Sequence, residues 1–317
     1  MAKILVTGAA GFIGSHTADF LLEAGHGVVG VDNFRTGRKE NLARALRSPA
    51  FSLHVRDVAE PGVLAALVAA ERPGVIIHLA ALVSVQESLA DPALNFSLNV
   101  HASQLVAEAA RLHGVGRVVF ASSAAIYGDG VAQPIRETAE KRPVSPYGAA
   151  KLASEALLLG HGASYGFTVR CQRYFNVYGP RQDPASPYSG VISVFARRYA
   201  EGRPVTIHGD GRQTRDFIAV SDVARANALA ATQPDIRPGA VNICTGRATS
   251  LLDLAGIFAA HFPGAAAPVH GPARPGDIIH SLGDPSAAEA ELGFTAHTGV
   301  AEGLAELSAV TASPVLS

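Results

Sequence analysis

Cysteine, lysine and charge are all scarce in this chain. Its 317 residues include two cysteines, and 17% are charged, against the ~25% usual for soluble domains. Cys171 and Cys244 cannot build a disulfide framework, and neither has a neighbour at metal-ligand spacing, so no metal is expected. Both read as small apolar residues in strands. No apolar run reaches ~18 residues, which excludes a membrane-spanning helix. The short run Lys3–Thr7 lacks the length and cleavage site of a secretory signal. Neither sign of charge dominates: 26 basic against 27 acidic residues give a net charge of −1. Without a basic field, binding to a nucleic-acid backbone is not expected. These absences lead to the expectation of a soluble, cytoplasmic protein.

What the chain does have is length and apolar content. Hydrophobic residues make up 48% of it, ample for a sizeable core, and the length suggests roughly two domains at ~150 residues each. Short β-branched runs fall at Lys3–Thr7, Gly27–Val31, Phe51–Val55, Val75–His78, Val118–Ala121 and Phe167–Arg170. Helical spacing of apolar residues separates them, over Phe12–Ala24, Asn41–Arg47, Val63–Ala70, Asn95–His113 and Pro146–His161. Near-continuous apolar strands alternating with helices predict a doubly wound parallel α/β sheet. After about residue 176 the rhythm changes to Pro- and Gly-rich connections, with helices near Val191–Glu201 and Val220–Thr232 and a strand near Ala240–Ile243. The reading is a dinucleotide-binding domain over residues 1–175, rejoined by about 217–248, and a smaller mixed α/β C-terminal lobe over 176–317.

Lys3–Thr7 runs directly into Gly8-Ala-Ala-Gly11-Phe-Ile-Gly14. With 32 glycines in the chain, chance alone gives about 0.3 such patterns, so the spacing is weak by itself. Its position after a first strand and at the start of a helix makes it strong. Gly8 would make the tight turn, Gly11 would admit a pyrophosphate, and Gly14 would let helix and strand pack. Free N–H groups at the helix start would hold the phosphates. The second strand ends in Asp32, an acid placed for ribose hydroxyls and unfavourable to a ribose phosphate, which favours NAD over NADP. Arg35 and Arg38 follow closely, but Asp32 should dominate. Asp57, after the third strand, is placed to read the adenine edge.

Ser145-Pro146-Tyr147-Gly-Ala-Ala-Lys151 opens a helix, with Ser145 as N-cap and Pro146 at its first position. Tyr147 and Lys151 then share one face. Four lysines and seven tyrosines predict about 0.09 such pairs by chance. An ammonium beside a phenol favours the phenolate, as a general base requires. Val118-Val-Phe-Ala-Ser122-Ser123 is a strand ending in two hydroxyls, at the sheet edge where ligands bind.

The chain resembles the extended short-chain dehydrogenase/reductase family, most closely its UDP-glucose 4-epimerase type. The resemblance covers nearly the whole chain. It rests on GAAGFIG at 8–14, VDNF at 31–34, HLAA at 78–81, SSAAIYGD at 122–129 and YGAAK at 147–151. Further along it rests on RYFNVYGPRQDP at 173–184, GDGRQTRDFI at 209–218 and RPGDI at 274–278. It implies Tyr147 as base, Lys151 as its partner and ribose anchor, and Ser123 as hydroxyl helper. It implies a cofactor cleft that also includes Phe12, Ile13, Asn33, Val58, Leu79, Ala80, Ala81, Asn99, Ser122 and Tyr174. For the nucleotide sugar it implies Asn176, Val191, His208, Arg215, Arg274 and Asp277, the two arginines on the diphosphate.

Within the family, dehydratase-like members carry an Asp-Glu pair after the helper hydroxyl, and decarboxylating members a Glu. Here Ala124 and Ala125 follow Ser123. The resemblance therefore implies epimerisation at carbon 4 of a UDP-hexose through a transient 4-keto sugar. The alternatives are a UDP-glucuronate 4-epimerase, for which Arg181 could meet the carboxylate, another nucleotide-sugar modifying enzyme, and a non-catalytic NAD-binding regulator. Two departures from the pattern stand out. His208 replaces the usual base-stacking Tyr or Phe, and the small Ser281 leaves room for an N-acetyl group. The helices Asn95–His113 and Pro146–His161 resemble the pair that forms a homodimer interface in this superfamily.

Overall fold

The computed structural model describes residues 1–182, 190–262, 264–273 and 279–312. Strands β1 (Lys3–Thr7), β2 (Gly27–Asp32), β3 (Phe51–Val55), β4 (Val75–His78), β5 (Arg117–Ser123) and β6 (Thr168–Tyr174) build a large sheet. The chain then leaves for β7 (Asn176–Tyr178), β8 (Thr206–His208) and β9 (Thr214–Ala219), and rejoins the large sheet at β10 (Gly239–Ile243). Strands β11 (Ala248–Ser250), β12 (Val269–Gly271) and β13 (His280–Ser281) follow. The large sheet has the order β3-β2-β1-β4-β5-β6-β10, parallel throughout. The chain direction across it reverses between β1 and β4, the crevice where open α/β sheets bind ligands.

The helices are α1 (Phe12–Glu23), α2 (Val63–Glu71), α3 (Val85–Ala90), α4 (Pro92–Asn95), α5 (Ala102–His113), α6 (Pro146–Tyr165), α7 (Val191–Ala200), α8 (Val220–Thr232), α9 (Leu251–His261), α10 (Ser286–Leu292) and α11 (Val300–Ala312). Alternation along β1 shows how the strands are shared between two layers. Ile4 and Val6 pack with Leu21 of α1, Val223 of α8 and Leu292 of α10. Leu5 packs on the other face with Leu67 of α2, Val106 of α5 and Leu158 of α6. Both faces are covered, which is why the strands are apolar throughout.

The smaller lobe joins β11, β9 and β13, with β7 beside β9, and a separate β8–β12 pair. Its core is Tyr178, Phe195, Tyr199, Leu254 and Phe258, among α7, α9 and α11. No helix among the described residues is long and apolar enough to cross a membrane.

Two expected helices differ from the structure. Asn41–Arg47 is not an α-helix but two 3₁₀ turns, Lys39–Leu42 and Ala45–Arg47. Only Leu42 and Ala45 are buried there, and Pro49 keeps Ser48 out of the helical region, so no continuous turn is supported. The helix expected from Asn95 starts at Pro92, where Asp91 caps it by accepting from Leu94 N–H at 2.9 Å. It then widens into a π-helical segment, Phe96–His101, before α5.

Candidate active site

The glycine loop joins β1 to α1 at the crevice. Gly8 takes φ +69°, and a Cβ on Gly14 would lie 2.0 Å from the Gly8 carbonyl oxygen, so the α1 start admits no side chain there. Gly11 precedes α1 with no side-chain cap, and no acid sits in the first turn. The N–H groups of that turn are left for an anion. Asp32 is 7% exposed, and accepts from Ala10 N–H at 2.8 Å and Phe34 N–H at 2.7 Å. Burial raises its pKa, opposed by the bonds from Phe34, Ala10 and Gly11. Beside it Asn33 Nδ2 donates to Asp57 Oδ2 at 2.9 Å.

One cleft of about 970 Å³ collects most of the predicted residues, at the upper end of the ~300–1,000 Å³ of ligand pockets. Gly8, Gly11, Phe12, Ile13, Gly14, Asp32, Asn33, Asp57, Val58, Leu79, Ala80, Ala81, Ser122, Ser123, Tyr147, Lys151 and Tyr174 all line it. A dinucleotide fits this lining: glycine loop and uncapped helix for the diphosphate, Asp32 for the adenosine ribose, Tyr147 and Lys151 at the far end. The lining also holds Arg35, Thr36, Arg38, Ser84, Glu87 and Arg181, which the sequence reading did not place in the cofactor cleft. Arg35 pairs with Glu87 across the mouth.

The cleft floor is a polar chain. Thr7 Oγ1 accepts from Leu79 and Ala80 N–H, both at 3.1 Å, so its proton goes to His78 Nδ1 at 2.8 Å. His78 Nε2–H then faces Ser103 Oγ at 3.3 Å, and Ser103 donates to the Asn99 carbonyl at 2.7 Å. Burial holds the His78 pKa down at about 3, so the ring stays neutral.

Asn99 departs from its expected place. Its side chain is buried under the cleft, donating to Leu82 O at 3.0 Å and Asn95 Oδ1 at 2.8 Å, and does not form part of the lining. The π-helical segment turns it toward Leu82, while Leu98 and Ala102 face the cleft.

At the start of α6, Ser145 caps the helix by accepting from Gly148 N–H at 3.1 Å, with Pro146 next. Ser123 Oγ accepts from Ala125 N–H at 3.1 Å. Burial raises the Tyr147 pKa, and a hydrogen bond from Ser123 opposes it. Lys151 is 3% exposed and donates to the Ala121 carbonyl at 2.8 Å. Its Nζ lies 6.0 Å from the Tyr147 ring centre, and burial pushes its pKa down to about 7. Ser123 favours the phenolate directly, and Lys151 adds to that effect in its charged form. In its charged form Lys151 keeps two further donors, enough for a pair of hydroxyls.

Of the residues expected to meet the nucleotide sugar, Asn176, Val191, His208 and Arg215 lie off this lining. Asn176 donates to Asp216 O at 3.3 Å. Arg215 donates to Thr214 O at 2.9 Å and is paired in register with Ser281 on β13. His208 Nδ1 faces Pro272 O at 3.2 Å, and the half-buried Val191 begins α7. Arg274 and Asp277 lie outside the described residues. Among the described residues no cluster of His, Cys, Asp or Glu could hold a metal ion.

A model of the NAD-dependent epimerase/dehydratase family matches residues 4–244. The UDP-glucose 4-epimerase of Mycolicibacterium smegmatis is 40% identical over 305 residues, covering 96% of each chain. The structure of the Thermotoga maritima UDP-glucose 4-epimerase with UDP-glucose superimposes with a TM-score of 0.91 at 37% identity, over 97% of each chain. That of the UDP-N-acetylglucosamine 4-epimerase of Methanobrevibacter ruminantium, in complex with UDP-N-acetylmuramic acid, gives 0.91 at 34% identity over 97% of each. The chain belongs to the NAD-dependent epimerase/dehydratase family.

Proposed function

We propose that this protein is a UDP-hexose 4-epimerase that uses NAD and returns it unchanged. The observation that carries the reading is the convergence of Ser123, Tyr147 and Lys151 at one end of the dinucleotide cleft, with Ala124 and Ala125 after the helper serine. Elimination of water needs an acid and a base there, and two methyl groups supply neither. Epimerisation needs one base that takes a proton and gives it back.

Tyr147 removes the proton of the sugar's 4-hydroxyl while Ser123 donates to the same oxygen. When bound, NAD supplies the two-electron acceptor that takes hydrogen from carbon 4 and gives it back. The 4-keto sugar presents its other face, Tyr147 returns the proton, and the 4-epimer leaves. Lys151 orients the ribose and adds positive charge near the phenol once charged. Most of the rate then comes from positioning together with one tuned base.

The cofactor falls to residues 1–175 with about 217–248, and the nucleotide sugar to the rest of 176–317. There Asn176, Arg215, Arg274 and Asp277 would meet the diphosphate and ribose, and Val191 and His208 the base. Ser281 is small and sits beside Arg215, which supports N-acetylated hexoses as well as glucose and galactose. Arg181 is held by Asp19 at 2.7 Å, which weighs against a uronate-binding role. A homodimer through the α5 and α6 region is supported by exposed Leu112 and Tyr165 on those helices, and light scattering tests it. A cytoplasmic site is supported by two buried free thiols.

Incubation with UDP-galactose, UDP-N-acetylglucosamine and UDP-glucuronate, each alone, tests the reading. Conversion of either of the first two supports it, and conversion of the glucuronate alone replaces it with the uronate epimerase. No conversion of any of them leaves the regulator.

A further inference from the structure

We propose that Glu155 and Arg173 are positioning residues that set the gap between the base and the helper hydroxyl. Tyr147, Lys151 and Glu155 recur every four residues along α6 and share one side of it. Opposite them stand the last three residues of β5. The two elements are joined rung by rung. Ser123 and Tyr147 line the same cleft, Lys151 grips the Ala121 carbonyl at 2.8 Å, and Ser122 Oγ donates to Glu155 Oε2 at 2.8 Å.

The third rung is tied to the rest of the site by Arg173 of β6. Both Glu155 and Arg173 are 4% exposed. Arg173 Nε donates to Glu155 Oε2 at 3.2 Å, and its Nη2 donates to Oε1. Its Nη1 reaches the Tyr127 hydroxyl at 2.8 Å and the Glu137 carbonyl at 3.0 Å. Tyr127 in turn donates to Asn242 Oδ1 at 2.7 Å. Tyr127 ends the 3₁₀ turn Ala124–Ile126 that Ser123 caps. One guanidinium thus holds both walls: the α6 wall through Glu155, and the Ser123 wall through Tyr127.

The walls are already close. A Cβ on Gly148, next to Tyr147, would lie 2.6 Å from the Ala125 carbonyl oxygen. A small slip of α6 along β5 would therefore move the phenol out of reach of Ser123. A buried ion pair is a weak source of stability, since apolar residues of similar size often replace one without loss. What apolar residues cannot replace is a fork that bonds a carboxylate and a phenol together.

The inference rests on Tyr147 being the base, so Tyr147→Phe is assayed alongside. Arg173→Lys keeps the charge and loses the fork, and the double variant Glu155→Leu/Arg173→Met removes both charges together. Each is measured for kcat and KM on UDP-galactose, melting temperature and retained NAD. The expected result is a kcat lower by about tenfold or more, with KM within about twofold and NAD content unchanged. In the double variant that loss should persist even with a wild-type melting temperature. Wild-type kcat in the double variant, or a loss that only tracks lost NAD, would overturn the inference. Wild-type-like turnover by Tyr147→Phe would instead overturn the reading of the site beneath it.

Discussion

Lys151 donates to the main-chain carbonyl of Ala121 at 2.8 Å, while its Nζ stays 6.0 Å from the centre of the Tyr147 ring. The lysine is thus anchored to the strand, one residue before the two serines and not on the phenol itself. Burial leaves it with a pKa of about 7 against an ordinary 10.5, so its charge is conditional on what else bonds to it.

That shift has a stability consequence. The unfolded chain holds the lysine proton up to pH about 10.5, while the fold releases it above about 7. Between those values the unfolded state binds more protons, so stability rises with pH. The burial cost is fully present below about pH 7 and is relieved as pH rises through the window. The melting temperature of cofactor-free protein should climb from pH 7 to about 9, and Lys151→Met should flatten the climb. An equal climb in the variant would show that Lys151 is not the group responsible.

Ser123 is the one group that opposes the effect of burial on Tyr147. Ser123→Ala removes that opposition, so the phenol needs a higher pH to ionise. The acid limb of the kcat profile should move to higher pH, and kcat at neutral pH should fall roughly tenfold to a hundredfold. A lower kcat with an unmoved limb would leave Ser123 without a role in tuning the base.

Tyr147→Phe removes the proton-carrying oxygen and little else. It should keep bound NAD, seen by absorbance after denaturation, and lose about 10²-fold or more in kcat.

Gly14→Ala places a methyl 2.0 Å from the Gly8 carbonyl oxygen, which only a backbone shift can relieve. Overpacking of this kind costs about 1–3 kcal/mol and here also moves the phosphate-binding loop. The variant should melt lower and purify without NAD. Wild-type NAD content would show that α1 and the loop can part without loss.

The glycine loop, Asp32, Ser123, Tyr147 and Lys151 were legible because each lies in a short local pattern at a strand end or helix start. The parallel α/β layers were legible from the same alternation. Glu155 with Arg173, and Arg35 with Glu87, were not. Their partners sit on different elements, and no local period records that they meet. The side-chain direction of Asn99 was hidden for another reason: a π-helical segment shifts the helix face by an amount that apolar spacing does not reveal. The lowered pKa of Lys151 was not legible because its burial, and its bond to a carbonyl thirty residues away, are tertiary facts.

The most direct test of the central claim uses UDP-galactose carrying deuterium on carbon 4, incubated with the purified protein in ordinary water. Transient oxidation with return to the same sugar predicts UDP-glucose that keeps its deuterium on carbon 4, with no build-up of reduced cofactor. Product whose carbon 4 has taken hydrogen from water, or no product at all, would contradict it.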